Sequence, residues 1–78
     1  MLNKEMKILV SFSSTTSAMA MEKFCKANNI EGRMIPLPKE ISAGCGIAWI
    51  SPIEIKETIK QTLANNNLEF DKTYEMEI

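Results

Sequence analysis

Residues 32–50 read GRMIPLPKEISAGCGIAWI: an extended run from Arg33 to Leu37, a polar passage through Lys39 and Glu40, and a second extended run from Ile47 to Ile50. Pro36 cannot donate a ladder hydrogen bond, so the first run belongs at a sheet edge. The second is apolar and follows Gly44-Cys45-Gly46, whose glycines mark a tight backbone path. Two strands therefore stand next to one another in mid-chain, and the helices must lie outside them.

Working outward, Ile8, Val10 and Phe12 alternate with Leu9 and Ser11 between Lys7 and Phe12, the pattern of a strand buried on both faces. Ser13, Ser14, Thr15 and Thr16 offer capping oxygens for a helix whose inward residues are Ala18, Met21, Phe24 and Cys25. Asn28 and Asn29 stop it. On the other side, Ser51-Pro52-Ile53-Glu54 combines a capping hydroxyl, a first-turn proline and a reciprocal glutamate, which predicts a helix start there. Ile55, Ile59, Thr62 and Leu63 form its stripe, and Asn65 to Asn67 end it. From Phe70 to Ile78 apolar Phe70, Tyr74, Met76 and Ile78 oppose Asp71, Thr73, Glu75 and Glu77, so one face of this strand should be wet. The order β-α-β-β-α-β predicts an α+β, ferredoxin-like fold: a four-stranded antiparallel sheet with two helices on one face, the first and third strands central.

Seventy-eight residues, 45% hydrophobic and 24% charged, fit one domain spanning residues 1–78. A core this small gains from pairing, so a second copy of the chain is a candidate partner. Nine basic against ten acidic residues give a net charge of −1 and no footprint for nucleic acid. With no histidine, the usual nucleophile–imidazole arrangements are excluded. Two cysteines fall short of a structural zinc site or a disulfide framework, which points to a reducing compartment, the cytoplasm. The run Ile8-Leu9-Val10 is too short for a signal core, and no segment is long enough to span a membrane.

Gly44-Cys45-Gly46 is the one constellation built around a reactive atom. Flanking glycines let successive amides converge on a sulfur anion, and Lys39 and Arg33 are the candidate cations beside it. The plainer reading is that the glycines shape a strand entry and Cys45 is a small packed residue. Cys25 shares the inward stripe of its helix and reads as core, and a disulfide between the two is not expected. The six methionines read as core filling, and Trp49 as packing in the third strand.

Phe12-Ser13-Ser14-Thr15 leading into Ala18 and Glu22-Lys23, then Ile35-Pro36-Leu37-Pro38, Glu40-Ile41-Ser42 and Gly44-Cys45-Gly46, with Phe70 and Tyr74 near the end, resemble the selenium and sulfur carrier protein-like domains. The resemblance covers nearly the whole chain, and the block from the two prolines to Gly44-Cys45-Gly46 is its specific part. It implies that Cys45 holds a persulfide or perselenide passed between donor and acceptor proteins, a relay rather than a stand-alone enzyme. No cofactor is required. In that reading Gly44 and Gly46 supply amides, Ser42 a hydrogen bond, and Lys39 and Arg33 positive charge. Where the family often carries arginine, this chain has Lys39. The alternative is a small interaction or regulatory module, associating through its sheet or an edge strand, in which Cys45 is structural.

Overall fold

The computed structural model describes residues 4–41 and 44–78. Strand β1 (Met6–Ser11) leads into helix α1 (Thr15–Ala27), edge strand β2 (Arg33–Pro36) and strand β3 (Ile47–Pro52). A single 3-10 turn (Ile53–Ile55), helix α2 (Lys56–Asn65) and strand β4 (Thr73–Glu77) complete the chain. The sheet order is β2-β3-β1-β4 and every pairing is antiparallel, as a ferredoxin-like arrangement requires.

Alternation along the two central strands divides the core in two. Ile8, Val10, Phe12 and Trp49 face the helices and pack with Ala18, Met21 and Cys25 of α1 and Ile59 and Leu63 of α2. Each large side chain sealed here contributes about 1.5–3 kcal/mol. Leu9, Ala48 and Ile50 point to the helix-free side, where Ile41 covers them together with half-buried Ile35, Leu37, Tyr74, Met76 and Ile78. The segment after β2 thus turns back across the sheet: Ile41 N–H closes a turn onto the Pro38 carbonyl at 3.0 Å, and Ile41 is 8% exposed.

Ser14 caps α1, its Oγ accepting the Ser17 N–H at 3.2 Å. At the other end Asn28 follows the last turn and Asn29 takes the left-handed conformation, φ 57°.

Two local expectations are corrected. The helix predicted from Ser51 begins at Lys56, after the 3-10 turn, and no side chain caps either one. Ser51 and Pro52 belong to β3, where the Ser51 hydroxyl is sealed in the core: it accepts from Trp49 Nε1 at 2.8 Å and donates to the Glu31 carbonyl at 2.7 Å. Satisfying a buried indole N–H outweighs capping a helix that water can solvate. The last strand is also shorter than predicted, because Asp71 and Lys72 are held against the end of β1 and leave Phe70 exposed. Its polar residues lie on the helix side, where Glu75 pairs with Lys56 of α2 at 3.4 Å. Its apolar residues pack on the helix-free side.

Candidate functional site

Three connections converge at one end of the sheet because β3 and β4 both flank β1. Ser11 is the last β1 residue and pairs with Ala48, so the turn at Gly44–Gly46 lies beside the residues leading into α1. A Cβ on Gly44 would sit 3.2 Å from the Ser13 carbonyl oxygen, so the two turns touch along bare backbone. Gly46 has φ +76°, a left-handed angle that bends the chain into β3, and its carbonyl accepts the Leu37 N–H at 2.9 Å. On the β4 side, Asp71 N–H donates to the Ser11 carbonyl at 2.7 Å and Ser11 N–H to the Lys72 carbonyl at 2.8 Å.

Cys45 stands on this end, half-buried, between exposed Gly44 and Gly46. Its side chain turns to the helix side and rests on the cluster that contains Phe12 and Ala18. The thiol donates to the Ile47 carbonyl at 3.4 Å, its one hydrogen bond among the described residues. The site therefore offers a partly exposed sulfur on a turn whose preceding residue, Gly44, meets the Ser13 backbone just before α1.

The other candidate residues are distributed unequally. Gly44 and Gly46 frame the sulfur. Arg33 does not reach it: Arg33 pairs with Ile50 whereas Pro36 pairs with Ile47, which puts Arg33 three residues, about 10 Å, farther along the sheet. There it lines a small cleft with Lys7, Glu31 and Pro52, away from the thiol. Lys39 is exposed in the turn between Leu37 and Ile41, both of which pack on the face opposite to that of Cys45. Ser42 lies outside the described residues, as does Ala43.

Cys25 is buried in the core. Burial pushes its thiol up to about 11. It sits ten residues beyond the start of α1, about 15 Å along the axis from the end where Cys45 lies, so the two sulfurs serve different places in the fold. Two residues that sequence reasoning missed, Ser17 and Glu69, join the Ser14 cap at the first turn of α1. Ser14 Oγ donates to Ser17 Oγ at 2.9 Å, and Ser17 Oγ donates to Glu69 Oε1 at 3.3 Å. No sequence signal connects Ser17 to a carboxylate 52 positions away.

The model of the family described as "Putative Se/S carrier protein-like" matches residues 7–75, a span that begins in β1, ends in β4 and contains the whole thiol turn. No curated protein and no solved structure matches the chain significantly. Among the described residues no helix is long and apolar enough to cross a membrane.

Proposed function

Since the chain belongs to the Se/S carrier protein-like family, we propose that Cys45 is the atom that carries the cargo, taking sulfur or selenium from one protein and giving it to another. The observation behind this reading is the half-exposed Cys45 on a turn in which Gly44 meets the Ser13 backbone before α1 and Gly46 takes a left-handed angle. In the sulfur case the Cys45 thiolate attacks the outer sulfur of a donor persulfide. The new bond is Cys45 Sγ–S, the bond broken is the donor's S–S bond, and the donor leaves as a thiolate; no external oxidant or reductant is consumed. The reverse exchange onto an acceptor thiolate unloads the carrier. The N–H groups of the turn and of the start of α1 stabilise the terminal anion. Lys39, exposed on the same connection, adds positive charge at longer range. With no histidine in the chain, proton transfer falls to the partner proteins.

The test is mass spectrometry of the intact chain after incubation with a donor protein that bears a persulfide or a perselenide. One added sulfur or selenium is expected on the wild type and not on Cys45→Ser. An unmodified Cys45 beside a competent donor overturns the reading. One observation favours a second one: the Cys45 side chain packs on the core and its thiol is bonded to the Ile47 carbonyl, as in a structural cysteine of an interaction module. Fast alkylation of native protein at Cys45 supports the carrier, and alkylation only on unfolding supports the module.

A further inference from the structure

The two edges of the sheet differ in what they leave unbonded. In an antiparallel ladder alternate residues of an edge strand bond inward, and the residues between them point N–H and C=O outward. On β4 the inward set is fixed by the mutual bonds of Ile78 and Glu5 and by the Ser11 N–H on the Lys72 carbonyl, so in the unbroken register Met76 and Tyr74 also bond to β1. Thr73, Glu75 and Glu77 therefore turn their backbone groups away from the sheet. On β2 the Leu37 N–H bonds to the Gly46 carbonyl, which sets Ile35 and Arg33 inward and Met34 and Pro36 outward. Pro36 has no N–H to give, and Pro38 repeats the gap two residues on. The β2 edge is blunted by its own sequence, whereas the β4 edge keeps its donors.

The side chains of β4 divide by face. Glu75 lies on the helix side, bonded to Lys56 at 3.4 Å, and Glu77 follows it on the same face. Both are exposed, and among the described residues Glu77 forms no ion pair. Tyr74, Met76 and Ile78 are half-buried on the helix-free side. We infer that the β4 edge is a docking site for an extended segment of another protein in which basic residues alternate with aliphatic ones, added as a fifth strand. Residues of the segment opposite Glu75 and Glu77 share their face and are Lys or Arg. Those between and beside them run along Tyr74, Met76 and Ile78 and are aliphatic. A second copy of this chain fits worse: two β4 strands paired antiparallel over their full length set Glu75 against Glu75, with the carboxylates of both strands along one face. The acidic pair thus selects the charge of the partner and keeps the edge from closing on itself. The inference does not depend on how Cys45 is used.

The experiment is an NMR titration of the isotope-labelled full chain with an acetylated, amidated heptapeptide of alternating valine and lysine that begins and ends in valine. One control peptide has glutamate for lysine, and another has its lysines placed together at the centre. The alternating peptide is expected to shift the Thr73, Glu75 and Glu77 amides and protect them from hydrogen exchange, while the Met34 amide on the β2 edge keeps its exchange rate. Glu77→Lys is expected to weaken binding about fivefold and Glu77→Gln about twofold, both differences shrinking in concentrated salt. Glu77 is exposed, so both variants keep the fold, which their amide dispersion checks. Equal binding of either control peptide, protection at Met34 instead of β4, or no response at millimolar peptide overturns the inference. A free chain that sediments as a dimer with its β4 amides already protected also overturns it, by making a second copy the occupant.

Discussion

Replacing Gly46 isolates the backbone conformation that aims the thiol turn into β3. Its φ of +76° lies in the left-handed region, while a Cβ built there meets nothing within 4 Å, so a substitution pays in torsion alone and not in packing. The left-handed penalty for an L-residue is about 1–2 kcal/mol. Alanine also restricts the unfolded chain relative to glycine, which returns up to about 1 kcal/mol. The net loss for Gly46→Ala is therefore about 1 kcal/mol. Asparagine tolerates this region and should cost less, and valine, stiff at its β-branch, should cost more, about 2 kcal/mol. In a domain of 78 residues each kcal/mol corresponds to about 4–8 °C in Tm. Urea unfolding followed by Trp49 fluorescence reads the series, with an unchanged m-value showing that the denatured state is not what moved. The expected order of stability is glycine, asparagine, alanine, valine. Equal stability of the Asn, Ala and Val variants, or valine ranking first, would refute the assignment of a left-handed turn after the thiol.

Ser51→Ala strands the buried Trp49 Nε1 and removes the donor to the part-buried Glu31 carbonyl, and the expected loss is about 2 kcal/mol, read from urea unfolding; a neutral variant would show that this relay is not formed. For Cys25, burial raises the folded-state value from 9.0 to about 11, so above pH 9 the unfolded chain releases a proton that the folded chain keeps. Stability should then fall as pH rises from 9 through 11, by at most about 2–3 kcal/mol. The alkaline slope should flatten in Cys25→Ala, and an identical slope in both proteins would place the titration elsewhere.

Much of the fold was legible because its central strands and both helices carry unbroken patterns. Ile8 to Phe12 and Ile47 to Ile50 announce burial on two faces, and Pro36 announces an edge, all from local chemistry. Ser51 was misread for a physical reason. A serine before a proline satisfies the capping rule, but a tryptophan two residues earlier on the same face claims its hydroxyl first. The thiol turn was visible as two glycines around a sulfur, whereas its surroundings were not. Arg33 looked close to Cys45 along the chain, yet the antiparallel register carries it to the far end of the sheet, and only pairing information reveals that. Glu69 and Ser17 were invisible for the same reason: a contact 52 residues apart has no local signature.

The sidedness of Cys45 follows from the phase of β3. Trp49 and Ile47 face the helices, Ala48 and Ile50 face away, and Cys45 falls in with Trp49 and Ile47 on the helix side. On the opposite side the sulfur would meet Ile41 and Leu37, a surface without helix ends and sealed by hydrocarbon, where an anion is costly. On the side it occupies it packs against the cluster that the two helices close. Gly46 bends the turn at the junction, and Gly44 lets it close on Ser13 without a side chain between. The helix-side placement of the cysteine thus depends on the strand leading away from it keeping this phase.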